Sequence, residues 1–145
     1  MSIKPKYADK ILSGEKTIEI RKQKPLHITT SDKILFYVTE PVKAILFYSN
    51  VKQIIETSPN ELWNNYQNQL GITKKDFNSY FKNKSIACGI ELEQIRIIKP
   101  FQLKEIKLWF QTINKLYDLD RQFYPPQNFC YASNSLYYEI LLRYK

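Results

Sequence analysis

The segment GEKTIEIRK, residues 14–22, joins the end of a helix to the start of a strand within a few residues. Upstream of it, Pro5 suits the first turn of a helix, because that position needs no backbone N–H donor. The apolar residues that follow repeat with helical spacing and share one face: Ala8, Ile11 and Leu12. Gly14 can end this helix because glycine adopts the left-handed backbone conformation at little cost. The chain therefore opens with a helix that turns at once into a strand.

Residues 17–22 alternate between apolar and polar side chains, which predicts a strand. Ile18 and Ile20 would lie on one face, and Glu19 and Arg21 on the other. Lys16 must then lie in the preceding turn if its side chain is to reach Glu19. One interpretation of these charges is a solvated ion pair that contributes about 0–1 kcal/mol. The other is a ligand pocket lined by Lys16, Glu19 and Arg21.

The rest of the chain predicts more strands and helices in a mixed order. Ser58, Pro59 and Glu61 form a capping box at the start of a helix, and Gly71 would end it. The change of phase near Ile95 indicates a bend in a long strand. In order, the later elements are strands over 34–38 and 44–51, a helix from Ser58 to Gly71, a short helix over 74–81, a strand over 85–98, a helix over 103–113 and a strand over 135–144.

A chain of 145 residues suits one domain, here expected over residues 1–145. A domain of this size buries ~68–70% of its unfolded surface, so it can build a core without disulfides or metal. Strands exceed helices in the predicted order. The pattern therefore predicts an α+β protein, with a compact mixed β barrel and helices packed outside it.

The formal net charge is +8, with 22 basic and 14 acidic residues. Such an excess favours a polyanionic partner, nucleic acid before an anionic membrane. An AT-rich coding bias would also enrich lysine, so the charge supports nucleic-acid binding without establishing it. The chain has three glycines, and neither a GxGxxG nor a Walker pattern occurs.

Cysteine and histidine usage argues against a metal or a catalytic triad. His27 is the only histidine and no CxxC occurs, which disfavours a structural zinc site and a Ser-His-Asp triad. Cys88 and Cys130 are predicted to be reduced core thiols. The sequence shows neither a signal peptide nor a membrane-length apolar stretch, so we expect a cytoplasmic protein without a cofactor, a metal or a membrane partner.

The opening SIKPKYADKILSGEKTIEIRK resembles the motif of the ASCH domain, a branch of the PUA-like superfamily. That motif is a helix followed by G-x-K-x-x-E-x-R, matched here by Gly14, Lys16, Glu19 and Arg21. The segments FYVTEPVKAI, LWNNYQNQLGITKKDFNSYFK, IKP and PPQNFCY are similar to the long prokaryotic ASCH subfamily. The resemblance covers nearly the whole chain. It implies a PUA-like mixed β pseudo-barrel of five to six strands with flanking helices, and a cleft beside the first strand of the motif.

The resemblance implies two classes of function. Related branches bind RNA or modified bases, and this favours a nucleic-acid-binding module, with RNA preferred to DNA, or a nucleoside site. The alternative is a hydrolase, either an N4-acylcytidine amidohydrolase or a ribonuclease, with Lys16 and Glu19 as the catalytic candidates. In the amidohydrolase branch a threonine lies three positions after the lysine, where this chain has Glu19. A distant glutamate also acts there, and Glu91 and Glu93 are both candidates.

Other residues could extend such a site toward nucleic acid. Lys4 and Lys6 lie at the start of the first helix, and helix N-termini attract phosphates. Tyr124 and Gln127 lie in the polar, aromatic segment 120–133, and loops of this kind often carry binding groups. An exposed aromatic side chain could stack a base, which is worth ~1–3 kcal/mol. Tyr37 and Tyr48, by contrast, lie in predicted strands and are expected to be core residues.

Overall fold

A computed structural model of the chain describes residues 1–117, 122–132, 136, 139, 140 and 142. The elements are β1 (Ser2–Ile3), α1 (Pro5–Leu12), β2 (Ile18–Arg21), β3 (Lys33–Val38), β4 (Ala44–Thr57), α2 (Pro59–Tyr66), a 3₁₀ turn (Gln67–Gln69), α3 (Lys74–Tyr80), β5 (Ala87–Gln102) and α4 (Leu103–Leu116). The strands form one sheet in the order β1-β3-β4-β5-β2. β1 runs parallel to β3, and β2 runs antiparallel to β5.

This arrangement confirms the predicted α+β class and gives five strands. The described strands form an open mixed sheet and do not close into a barrel, since β1 and β2 are its two edges. Both edge strands are short, at two and four residues. The long strands are β4 and β5, and both extend beyond their predicted ends. Gln94 has a φ of 49°, which places the predicted bend of β5 beside Ile95.

The described chain divides into two compact units. The first comprises Met1–Pro5, Leu35–Tyr48 and Arg96–Lys145. Tyr37 and Tyr48 are core residues of this unit, as predicted. The helix α4 contributes Ile106, which is fully buried, and Trp109, which packs at the margin of the same cluster. The other buried members of this cluster are Ile45, Ile98, Phe101 and Ile140.

The second unit comprises Lys6–Ile34 and Ser49–Ile95. Its core lies where the Ile18–Ile20 face of β2 meets the helices α2 and α3. The buried members are Ile18, Ile20, Leu62, Leu70, Phe77, Phe81 and Ala87. Ser58 and Glu61 form the predicted capping box of α2, and Thr73 accepts the Asp76 N–H at the start of α3. These caps fix where each helix begins, and therefore where the connection between them passes.

Two expectations differ from the structure. Cys130 is exposed, so it is not a core thiol; Cys88 is buried, and burial raises the pKa of its thiol to about 11. The strand expected over 135–144 lies largely outside the described residues, and the four residues described there, Leu136, Glu139, Ile140 and Leu142, are helical.

In the described part of the chain, no helix is both long and apolar enough to cross a membrane.

Candidate functional site

The carboxylate of Glu19 lies between two cations, the ammonium of Lys16 and a guanidinium nitrogen of Arg21. Lys16 Nζ is 3.3 Å from Glu19 Oε2, and Arg21 Nη1 donates to Glu19 Oε1. The three residues are 1%, 3% and 8% exposed. They therefore form one buried charge cluster, and the interpretation of a solvated surface ion pair is wrong.

Lys16 reaches Glu19 because it precedes β2 and is not part of the strand, as the sequence requires. Its ammonium also donates to the Ile18 carbonyl at 2.7 Å and to the Leu70 carbonyl at 2.8 Å. A lysine ammonium has three N–H donors. Glu19 and the two carbonyls engage all three, so Lys16 holds its neighbours in place at the centre of the cluster.

The connection between α2 and α3 covers the Lys16 side chain. Gly71 has a φ of +58°, and a Cβ added there would lie 2.7 Å from Lys16 Cβ. The Thr17 N–H donates to the Gln69 carbonyl at 3.0 Å, which ties the same connection to the start of β2. A positive φ is strained for most other residues, and any side chain at this position would collide with the lysine, so glycine is required here. The helix-stop glycine predicted from sequence thus has a second role as the cover of the site.

Arg21 forms the other end of the cluster. Besides its bond to Glu19, Arg21 Nη1 donates to the Ile20 carbonyl at 3.0 Å. The guanidinium also interacts with the hydroxyl of Tyr80, a half-buried residue at the end of α3. Lys22 Nζ lies 4.9 Å from the centre of the Tyr80 ring. Arg21, Lys22 and Tyr80 therefore bring two cations and an aromatic ring together.

Burial and charge shift the pKa values of this cluster in opposite directions. Desolvation by burial lowers the pKa of Lys16, although the attraction of Glu19 opposes it. Burial raises the pKa of Tyr80, and the positive charge of Arg21 opposes that rise. The tyrosine is therefore held in its neutral form at physiological pH.

The structure does not bring either candidate glutamate of β5 to this face. The register pairs Ile18 with Glu91 and Glu19 with Ile90. Because paired residues of an antiparallel ladder share a face, Glu91 lies on the face opposite Glu19. It forms an ion pair with Lys52 instead. Glu93 is exposed and has the same strand parity as Glu91.

The remaining predicted site residues are exposed. Lys6 Nζ lies 3.8 Å from Asp76 Oδ2, and Lys4 is exposed just before the start of α1. Tyr124 and Gln127 belong to the first unit, where the Tyr124 hydroxyl donates to Gln122 Oε1 at 2.5 Å. Their part in binding stays a prediction.

Sequence reasoning missed three contributors to the cluster. Tyr80 lies within the short helix predicted over 74–81, and its position there carries no sign of a contact with Arg21. The ring centre of Tyr7 lies 5.6 Å from Lys16 Nζ, and nothing in the sequence around Tyr7 indicates this contact. The carbonyl of Leu70 carries no side-chain signal at all. A weak signal was present for Gly71, because a glycine after a capped helix marks a left-handed turn.

Among the residues that the structure describes, no group of three or more His, Cys, Asp or Glu side chains is placed to hold a metal ion.

The whole chain shares its fold with crystal structures of ASCH from Zymomonas mobilis. The ASCH structure superposes with a TM-score of 0.86 at 25% identity, covering 100% of this chain and 94% of that one. A tyrosine-to-phenylalanine variant of the same protein gives a TM-score of 0.86 at 24% identity, with coverage of 100% and 96%. The fold is therefore that of an ASCH-type α+β domain.

The sequence comparisons identify the family. Residues 2–108 match the family described as a domain of unknown function, DUF365. The chain is also 32% identical over 119 residues to an ASCH domain-containing ribonuclease of Zymomonas mobilis, covering 80% of each protein. The chain belongs to the DUF365 family and is an ASCH-domain protein, as the motif of Gly14, Lys16, Glu19 and Arg21 indicated.

Replacing Glu19 with glutamine should destabilise the protein strongly. The change leaves two buried cations without their shared carboxylate, and breaking a buried ion pair in this way typically costs about 3–5 kcal/mol. Urea unfolding monitored by circular dichroism measures the loss. Glu15→Gln, which breaks the more exposed Lys10–Glu15 pair, is the matched control and should cost much less. Equal losses in the two variants would contradict the central role of Glu19.

Gly71→Ala and Gly14→Ala separate backbone strain from steric contact. Both glycines have positive φ, +58° and +80°, so both variants should lose stability. A Cβ at Gly14 meets nothing within 4 Å, whereas one at Gly71 meets Lys16. Gly71→Ala should therefore lose roughly 1–3 kcal/mol more than Gly14→Ala, as overpacked sites do. Thermal and urea unfolding of both variants measure this difference, and equal losses would remove the close contact from the account.

The pH dependence of stability should reveal the buried ammonium. Since the folded pKa of Lys16 lies below the value of 10.5 in the unfolded chain, the unfolded state binds more protons between the two pKa values. Stability of the native protein relative to Lys16→Met should therefore rise as the pH rises toward 10.5. Urea unfolding of both proteins at a series of pH values from 7 upward checks the sign. A difference that falls over this interval would mean that Glu19 outweighs desolvation.

Proposed function

We propose that this protein binds RNA and hydrolyses it as a ribonuclease of the ASCH family. The observation that carries the proposal is the 32% identity to an ASCH domain-containing ribonuclease across 80% of both chains. The Lys16–Glu19–Arg21 segment lies within residues 2–108, the range that matches the DUF365 family. The net charge of +8 agrees with a polyanionic substrate.

The geometry favours Arg21, Lys22 and Tyr80 as the group that meets RNA. A guanidinium presents planar donors that match phosphate geometry, and Glu19 holds that of Arg21 in one orientation. Lys22 is exposed and adds a second positive charge over the Tyr80 ring. Tyr80 offers a neutral hydroxyl and an aromatic surface to a phosphate or a base.

Lys16 and Glu19 are then positioning residues for Arg21. All three donors of the Lys16 ammonium are engaged, and both oxygens of Glu19 accept from a cation. A buried ion cluster is a poor source of stability by itself, because well-packed apolar residues often stabilise as much. We infer that its value here is the fixed orientation of the guanidinium.

A binding module without catalysis is the second candidate. It is favoured by the same engagement of Lys16, because three acceptors favour the protonated ammonium, which has no free electron pair to act as a general base. In this role the cluster would recognise RNA or a modified nucleobase, with Glu19 or Tyr80 meeting a base edge. The N4-acylcytidine amidohydrolase role has less support. Glu19 replaces its threonine, and the nearby Thr17 hydroxyl bonds to the Gln69 side chain.

The proposed function also implies a binding partner and a cellular compartment for the protein. RNA is the expected partner in preference to DNA, because the relative is named for ribonuclease activity. A cytoplasmic site of action agrees with the free thiols of Cys88 and Cys130, since disulfides are rare in that compartment.

Incubation of the purified protein with labelled single-stranded RNA tests the proposal, with products separated by gel and mass spectrometry. Arg21→Gln and Tyr80→Phe should each lower cleavage by about 10- to 100-fold, since each removes one charged or polar contact worth about 1.5–3 kcal/mol. Lys24→Gln, which removes an exposed paired charge in the same unit, is the control and should keep activity. Binding without cleavage would favour the second candidate. Neither binding nor cleavage would reject both.

A further inference from the structure

The outward face of α4 carries a row of lysines that the proposed site does not use. Lys104, Lys107 and Lys115 are exposed, and so is Gln111 between them. At 3.6 residues per turn, these four residues and Leu108 fall within an arc of roughly 100° and span ~16 Å along the helix axis. We call these five residues the α4 stripe. It belongs to the first unit, whereas the Lys16–Glu19–Arg21 cluster belongs to the second.

Within the described residues, the lysines of the stripe have no acidic ion-pair partner. None of the three lies within ion-pair distance of an acidic side chain in the part of the chain that the structure describes. The one glutamate of the helix, Glu105, accepts the Gln102 N–H at 2.9 Å and closes the capping box at the helix start. Five lysines elsewhere do have acidic partners: Lys6, Lys10, Lys24, Lys43 and Lys52.

This arrangement is unfavourable for the helix by itself. Lys104 and Lys107 are three residues apart, and like charges at this spacing repel each other along a helix. An acidic residue at position 108 or 111 would remove the repulsion and add a stabilising pair. The chain instead has Leu108, which is 65% exposed, and Gln111. An exposed leucine among lysines offers apolar contact beside positive charge.

We infer that the α4 stripe binds the sugar-phosphate backbone of single-stranded RNA. The argument for this occupant is charge complementarity: a one-sided row of unpaired lysines along a helix is the electrostatic footprint of a nucleic-acid backbone. The choice of RNA rests on the proposed function. The stripe binds without regard to sequence, because lysines contact phosphates as point charges, and Leu108 contacts ribose or base surface.

The test is the salt dependence of binding to a 30-nucleotide RNA. The triple variant Lys104→Gln, Lys107→Gln, Lys115→Gln should reduce the slope of log K against log salt by about 2, since each phosphate contact on a single strand contributes ~0.7. At physiological salt this corresponds to binding weakened by on the order of 10- to 50-fold. Circular dichroism verifies that the variant is folded.

A matched control separates the position of the charges from their number. The variant Lys24→Gln, Lys43→Gln, Lys52→Gln also removes three positive charges, but from lysines that have acidic partners. It should leave the slope within about 0.5 of the wild-type value, because paired lysines release few counterions. Equal slope changes in the two triple variants would overturn the inference, since net charge alone would then explain binding.

Two further measurements separate this inference from the proposed function. Hydrolysis of a dinucleotide RNA should be unchanged in the α4 variant, because so short a substrate does not need a backbone-binding surface. One outcome is that the wild-type protein cleaves no RNA while the α4 variant, unlike the control variant, loses salt-dependent RNA binding. In that case the ribonuclease proposal is wrong and the inference that the α4 stripe binds RNA is supported. If the α4 variant loses binding to phosphatidylserine vesicles and keeps its RNA slope, the stripe is a membrane surface and the inference is wrong.

Discussion

The carboxylate of Glu19, held between the ammonium of Lys16 and the guanidinium of Arg21, is the interaction on which the rest of the structure depends. A carboxylate this deeply buried would cost several kcal/mol of desolvation if it were alone. Two cations make its burial possible. Two backbone carbonyls in turn accept from the ammonium of Lys16. The requirement is strict, because a buried charge without a partner is among the most destabilising features that a core can contain.

Meeting that requirement ties together parts of the chain that are far apart in sequence. The third donor of Lys16 ends on the Leu70 carbonyl, fifty-four residues away. The connection between α2 and α3 must therefore stay within contact distance of the lysine, which only a glycine at position 71 permits. Further along, α3 delivers Tyr80 to Arg21. The motif at the start of the chain and the helices that follow β4 thus form one unit because they share a single set of hydrogen bonds.

The positive charge of the protein has two different physical forms. Lys16 and Arg21 are buried and paired with Glu19, and this pairing fixes the orientation of the Arg21 guanidinium. The lysines of the α4 stripe are exposed, and in the RNA-binding role that we infer for them they would act through counterion release. A net charge of +8 does not distinguish these forms. Burial and ion-pair geometry do distinguish them. No residue belongs to both groups.

The sequence by itself determined the local features. Gly14 ends the first helix, alternation puts Glu19 and Arg21 on one face, Ser58 and Glu61 cap α2, and the spacing of the motif indicated the family. These are short-range effects, because they depend on backbone conformations and side-chain periods within a few residues. Tertiary structure decided the rest. It buried the charges, placed Glu91 on the opposite face of the sheet, left the sheet open at β1 and β2, and brought Leu70, Gly71 and Tyr80 to the cluster. These outcomes depend on strand register and on contacts between distant segments, and a pattern with a period of a few residues contains no information about either.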